Sequence, residues 1–532
     1  MKKIITSLVL LLTLQLSAQE VVTAEQWQQD LRFLQKTINN DFSFLYKKVT
    51  AKEFNTAVDN FYNEIPNLEE HEIVVGFSKV ISLFKYGHTY VSFHQKPYEF
   101  SQFPFNLYQF NDGIYVEGTQ KRYSKAVGAK VIAVEGTPIV DVLEAIKPTV
   151  EAENSQYFKA YGINNIRYPE VLHAQRITQK LQSKVTLTLE KNGERFDQTF
   201  DVLENKAGLP IKYGFIQSDE EWISARNQDE TPLYLKNFDK IFYYEYLPNQ
   251  KAVYVRHSGI WNDKTETMES FYKRVFEFVE KNEVEKLILD VRLNGGGNNY
   301  LLKPVITGII ETQKINQTGK LFVITGRRTF SACQNFVNRL HSYTNAIFVG
   351  EPTAENVNFY GDAKPVKLPN SRMEVRLSFA WWQDKEPWAN EEWLSPQLSA
   401  DMSFAEYVKN EDPILDATLN FDAENFIARP MDHIRNLFVQ GKMQQLQQDI
   451  AHMVQDPKYR FFDFKGKFIN SGKLLLNQGQ HRSAIGVLTM VTQLYPNSGE
   501  AWRTLGDGYA SIGEKDKAEA FHKKADALQV SK

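Results

Sequence analysis

The sequence predicts a multidomain α/β protein: a mixed sheet with covering helices, preceded by a β-rich segment and followed by all-α C-terminal repeats. Three observations carry this. From Ala252 to about Gly350, strand-like apolar runs alternate with amphipathic helical stretches, the texture of a parallel or mixed sheet covered by helices. From about Phe103 to Phe200 the runs are short, alternating and punctuated by Gly and Asn, which reads mostly as strand. The C-terminal region repeats itself at helical spacing.

With 532 residues and about 150 residues per domain, three or four domains are expected. Hydrophobic residues at 42%, charged residues at 24% and a net charge of −3 describe a globular chain with no electrostatic bias toward nucleic acid or anionic lipid. Cys333 is the one cysteine, which excludes an internal disulfide framework and an all-cysteine metal site.

The elements follow in order. Lys2 and Lys3, the apolar run Ile4 to Leu16 and the small-residue site Leu16-Ser17-Ala18 read as a secretory signal over 1–18. The run is too short for a bilayer span, which takes about 20 apolar residues, so an exported protein without a membrane anchor, periplasmic or extracellular, is expected. Residues 19–97 are expected to be a helical N-terminal domain: Thr23 with Gln26 forms a capping-box pattern, and Trp27, Leu31, Leu34 and Ile38 recur at helical spacing. Residues 98–205 form the β-rich domain and 206–424 the α/β domain. In the latter, AVYVRHSGI, KLILDV, LFVIT and AIFVG read as strands, and Met268, Phe271, Val275 and Phe278 line one face of a helix.

Residues 425–532 read as helical repeats. Trp502, Leu505, Gly506 and Tyr509 fit W-x2-L-G-x2-Y, with Ala518 and Ala525 at later small positions. One unit earlier, Phe468, Gly472, Ala484 and Pro496 fill slots of the same pattern. This resembles a tetratricopeptide pair, with His522 where an aromatic is usual and Ser471 where leucine is usual. A third, degenerate unit is expected over Met431 to Phe461, because stacked helix pairs need neighbours to bury their faces. Such repeats imply a protein partner.

Three local signals bear on chemistry. In KLILDVRLNGGGNN an apolar strand runs into Gly295-Gly296-Gly297. Without Cβ atoms that backbone can turn amides toward an anion, while Lys-Ser/Thr of a phosphate loop is missing. A tight turn without ligand is the plain alternative. In GKLFVITGRRTFSACQNFVNRLHSY, Ser331 opens a helix, where free N–H groups and the helix dipole favour negative charge. A structural N-cap is its plain alternative. In FKYGHTYVSF, His88 follows Gly87, and histidine can deprotonate a serine near neutral pH.

In this chain order the three resemble the tail-specific (C-terminal processing) serine peptidases, together with the tricorn core peptidases and related retinoid-binding repeats. The resemblance spans roughly Glu20 to Phe421. It rests on Gly87-His88-Thr89 for G-H-T, then Asp290, Arg292, Asn294, Gly296 and Gly297 for D-x-R-x-N-x-G-G. Ser331, Ala332, Cys333 and Gln334 follow for S-A-x-E, and Gly350, Glu351 and Thr353 for G-E-x-T. GAKVIAVEGTPIVDVLEAI looks like the latter half of a PDZ domain, a fold the family commonly inserts there.

The resemblance implies a crotonase-like catalytic core and a serine peptidase with Ser331 as nucleophile. Amides of Ala332 and of Gly296 or Gly297 would form the oxyanion hole. No lysine follows G-E-x-T until Lys364, so the tricorn-like arrangement with His88 as base is implied. The supporting acid is expected in WANEEWLSPQL, as Glu391, with Glu392 the alternative. The chain departs from the family pattern at Gln334, where Glu is usual, and at Gln397, where Asp is usual, and from the tricorn-type pattern at Gly87, where a serine precedes the histidine. A peptide or protein substrate is expected, with no cofactor, no metal and no nucleic acid. His433, His452 and His481 are scattered and no H-E-x-x-H occurs. His257, on a strand, is expected to be structural. Two alternatives are a catalytically silent peptide- or ligand-binding scaffold of the same fold and an esterase or lactamase acting on small substrates. Cys333 is a remoter candidate nucleophile.

Overall fold

The computed structural model describes residues 22–204, 208–424 and 426–530; the expected export signal lies outside them. Helices Ala24–Asp41, Ala51–Glu64 and Glu70–Ser82 open the described chain. The Thr23–Gln26 capping box is formed, and Trp27, Leu31, Leu34 and Ile38 are buried as their spacing requires. Their core runs without a break into that of the β-rich segment, where Phe103, Phe105, Val116 and Val185 join the same apolar cluster.

In the β-rich segment the main path is an antiparallel sheet through Trp222–Ser224, Gly113–Gln120, Lys130–Val134, Lys184–Lys191 and Glu194–Asp201. Between the third and fourth of these strands the expected strand texture gives way to helices Ile139–Ile146, Ser155–Ala160 and Pro169–Ala174. In the first, Val142 and Ile146 recur at helical spacing and are buried. The last starts on Pro169, whose fixed φ suits the first helical turn.

The central sheet has six strands in the order Phe242–Leu247, Ala252–His257, Lys286–Asp290, Leu321–Thr325, Ile347–Gly350 and Leu398–Ser399. The first pair is antiparallel and the rest parallel. Both faces are covered, which is why these strands are nearly continuous apolar runs. Val253, Leu287, Leu289 and Val323 meet helices Met268–Lys281, Leu302–Glu311 and Ala332–Tyr343 on one face, while Tyr254, Ile288, Phe322 and Ile324 meet Ile414 and Leu415 on the other.

A hairpin, Asn358–Lys367 with Glu374–Gln383, leaves the central sheet, and Tyr90–Val91 adds to its edge, Tyr90 opposite Arg376. This pairing carries residues from before the β-rich segment to the α/β core. The C-terminal region comprises helices Pro430–Val439, Met443–Gln455, Phe464–Asn477, His481–Leu494, Gly499–Ser511 and Lys515–Val530. Gly472 lets its helix approach Leu488, and Gly506 does the same for His522. Both partners of the second contact lie 34 positions after those of the first, so one close approach is repeated in successive hairpins. No helix among the described residues is long and apolar enough to cross a membrane.

Candidate active site

Ser331 sits where the loop after strand Leu321–Thr325 enters helix Ala332–Tyr343, at φ 56° and ψ −129°, a conformation uncommon for any residue with a side chain. Its hydroxyl makes no capping bond. It lies instead 3.0 Å from His88 Nε2, across 243 positions of sequence. The plain N-cap alternative therefore does not describe this serine.

His88 is held from several sides. Thr89, buried behind it, pairs its hydroxyl with Ser378 Oγ at 2.8 Å, and the Ser378 N–H donates to Thr89 Oγ1 at 3.1 Å. The imidazole stacks on Phe330 at 4.7 Å and faces Phe359 at 6.2 Å. Burial among these rings pushes its pKa down from 6.5, against weaker upward pulls from Glu153 and Asp362, so the ring is neutral and able to accept a proton at neutral pH. Gly87, one of the departures from the family pattern, has a steric reason. A Cβ there would lie 2.5 Å from Tyr157 and 2.8 Å from Phe330.

The carboxylate behind the imidazole is Glu355, which sequence reasoning missed. Its Oε1 lies 3.3 Å from His88 Nδ1 and its side chain is fully buried. Oε2 accepts the Ser331 backbone N–H. Glu391, expected in this role, is not brought to the histidine. Its carbonyl accepts the Val357 N–H at 3.2 Å, while its half-exposed carboxylate turns to Lys467 at 3.7 Å. Glu392 is exposed too, its carbonyl accepting from Asn154 Nδ2 at 2.6 Å.

Glu153 lies beside Glu355. It accepts the Gly87 N–H at 2.9 Å and both the backbone and side-chain amides of Asn356, tying the residue before His88 to the residue after Glu355. Burial raises the pKa of Glu153 to about 8, with repulsion from Glu355 second, and burial raises Glu355 well above the carboxylate range. Two buried carboxyls this close hold a proton between them. Lys48, whose ammonium donates to the Lys85 carbonyl at 3.1 Å, is attracted electrostatically to both.

The glycine loop is set by its polar neighbours. Arg292 donates through Nε to Asp290 at 3.0 Å and through Nη1 and Nη2 to Asp412 at 2.9 and 3.0 Å. Asn294 donates to the His257 carbonyl and accepts the Gly296 N–H at 2.9 Å. The Gly296 amide is thereby occupied, and of the two expected alternatives only Gly297 keeps a free N–H. Neither Gly297 N–H nor Ala332 N–H has a hydrogen-bond acceptor among the described residues. Gly296 matters for its missing side chain: a Cβ would lie 2.6 Å from Ser331 Cβ and 2.8 Å from Ala332 N.

The remaining motif residues do structural work. Glu351 pairs with Arg327 through two hydrogen bonds, at 2.9 and 2.6 Å. Gln334 is fully buried and donates to Asn338 at 2.9 Å, and Gln397 accepts the Phe348 N–H at 2.6 Å. Cys333 is fully buried, and burial pushes its thiol well above the usual range, which opposes a thiolate nucleophile. His257 is buried against the Tyr272 hydroxyl at 3.0 Å, its pKa lowered by burial to about 4. Among the described residues, the donor atoms of His88, Glu153 and Glu355, and separately of Glu69, His71 and His173, come within 4.8 Å of one another, close enough to hold a cation. In the first group, Glu153 already serves Gly87 and Asn356.

No family model matches the sequence, and no curated protein matches it. Among solved structures the chain is similar to mature CPAF complexed with lactacystin, with 13% identity and a TM-score of 0.49 over 75% of this chain and 99% of that one. It is also similar to the photosystem II D1 C-terminal processing protease, with 12% identity and a TM-score of 0.35 over 72% and 96%. A putative peptidase from Parabacteroides merdae gives 14% identity and a TM-score of 0.38 over 75% and 99%. The solved structures to which this chain is similar thus include proteases and peptidases, a C-terminal processing protease among them.

Proposed function

We propose that the chain is a serine peptidase that cleaves peptide bonds through an acyl-enzyme. The observation that carries this reading is the line from Ser331 Oγ through His88 to Glu355, 3.0 Å on one side of the imidazole and 3.3 Å on the other. Ser331 attacks the peptide carbonyl while His88 Nε2 takes its proton. The imidazolium that forms carries a proton on Nδ1 facing Glu355, whose negative charge stabilises it. The Glu153–Glu355 pair shares one proton and carries one negative charge, and that charge faces the imidazolium. The free amides of Gly297 and Ala332 receive the oxyanion at the head of a helix, where the dipole adds to them. His88 then protonates the leaving amine, and water, activated by the same imidazole, releases the acyl group. The side chains of Gln334 and Gln397 bond Asn338 and the Phe348 N–H rather than Ser331, His88 or Glu355, so these departures do not favour the silent-scaffold alternative.

The surrounding parts extend the reading. The α/β core would be crotonase-like, the antiparallel sheet PDZ-like and the C-terminal hairpins tetratricopeptide-like, offering a surface to a protein partner. The leader over 1–18 would direct export, with the mature chain starting near Gln19; N-terminal sequencing of the exported protein checks this. The catalytic reading is tested with a fluorophosphonate probe. Wild-type protein should be labelled on Ser331, and Ser331→Ala and His88→Ala should not react. An unreactive wild type would overturn it.

A further inference from the structure

A cavity of about 190 Å³ lies between strand Phe105–Phe110, the segment 159–167 and the loop that leads to Ser331. Arg167, Arg328, Lys159 and His94 line it, and no carboxylate among the described residues does. Arg167 is only 7% exposed, and although the Tyr168 hydroxyl interacts with its guanidinium, its Nε and Nη1 have no hydrogen-bond partner. Buried guanidinium nitrogens without an acceptor are costly to the fold, and such donors are retained where something else supplies the acceptor. Burial lowers the pKa of both Arg167 and Lys159, so an entering anion would relieve both at once.

The cavity adjoins the proposed active site. Arg328 precedes Ser331 by three residues. It donates to the Ala160 carbonyl at 3.2 Å and stacks 5.0 Å over Tyr161, whose ring lies 6.1 Å from Phe330, the residue stacked on His88. Three residues span about 10 Å at most, which is about three residues of an extended substrate.

We propose that this cavity is a carboxylate-binding subsite, in which Arg167, Arg328 and Lys159 receive a Glu or Asp side chain carried two to four residues from the scissile bond. The volume suits a carboxylate-bearing side chain. The inference rests on the peptidase reading and narrows its substrates to acidic peptides.

The test uses full-length protein and peptides blocked at both ends, with Glu or Gln at each position two to four residues either side of the cleaved bond. Fluorophosphonate labelling is run first, and an unlabelled wild type removes the peptidase reading itself. With labelled protein, one position should show a preference for Glu over Gln of about tenfold or more in kcat/KM, collapsing to under about twofold in Arg167→Met and Arg328→Gln. Arg328 is half-exposed, so its variant serves if Arg167→Met does not fold. Binding of the same peptides to Ser331→Ala, read by fluorescence anisotropy, should show the same preference without turnover. No preference at any position, a preference that survives in Arg328→Gln, or a preference only for a free chain end over its amide would overturn the proposal.

Discussion

Glu355 touches the serine and its base at once: its Oε1 lies 3.3 Å from His88 Nδ1, and its Oε2 accepts the Ser331 N–H. The acid therefore fixes both the base and the backbone of the nucleophile. Glu355→Gln should lower kcat by about 10²- to 10⁴-fold, the range seen when the acid of such a triad is neutralised. Glu391→Gln should stay within about twofold, as expected of a surface carboxylate. Steady-state peptide hydrolysis by the two variants decides between them, and the reverse order would reinstate Glu391.

The acid limb of the pH profile follows from the burial of His88. The base works only when neutral, and burial holds its pKa below 6.5. The midpoint of the acid limb of kcat/KM should therefore lie below pH 6.5. A rate profile from pH 4 to 9 checks this; a midpoint above 6.5 would contradict it.

Stability should depend on pH through Glu153. Its pKa is raised to about 8 in the folded state from an ordinary 4.5, so between those values the folded protein binds more protons than the unfolded chain. By linkage, stability then falls as pH rises through that window. Glu153→Gln removes this titration, and its melting temperature should decline less between pH 5 and 8 than that of wild type. Parallel declines would show that Glu153 does not hold the shared proton.

Ser331 stores backbone strain. A non-glycine residue at φ 56° and ψ −129° costs about 1–3 kcal/mol, and glycine relieves it. Ser331→Gly should be more stable than Ser331→Ala by about 1 kcal/mol, measured by urea denaturation, although both lack the nucleophile. Equal stabilities would mean the turn relaxes.

Gly87→Ser should impair this protein. The added Cβ would meet Tyr157 and Phe330, and Phe330 stacks on the base. kcat should fall by about tenfold or more, the scale of a small misplacement of a reacting group, with Ser331 labelling slowed in proportion.

The α/β alternation from Ala252 to Gly350 was legible because buried parallel strands leave unbroken apolar runs and the covering helices show their own period. Ser331, His88 and the glycine loop were legible because each stands in a short motif. Glu355 was not. It lies in a loop without periodicity, and its distinguishing property, complete burial against His88, is a contact made across the fold. Glu391 had the better local pattern, near Pro396, but its main chain takes the inward position and its carboxylate the outward one. Glu153 is hidden for the same reason, since its hydrogen bonds reach Gly87 and Asn356, 66 and 203 positions away. The helices within 139–174 escaped because short segments between strands carry too few turns to show a helical period.

The two-residue strand Tyr90–Val91, which begins two residues after His88, is seated on Glu374–Gln383. The edge that anchors the proposed base thus comes from a segment that follows Ser331 in the sequence, and a chain cut before that hairpin keeps both motif residues while losing the strand that Tyr90–Val91 pairs with.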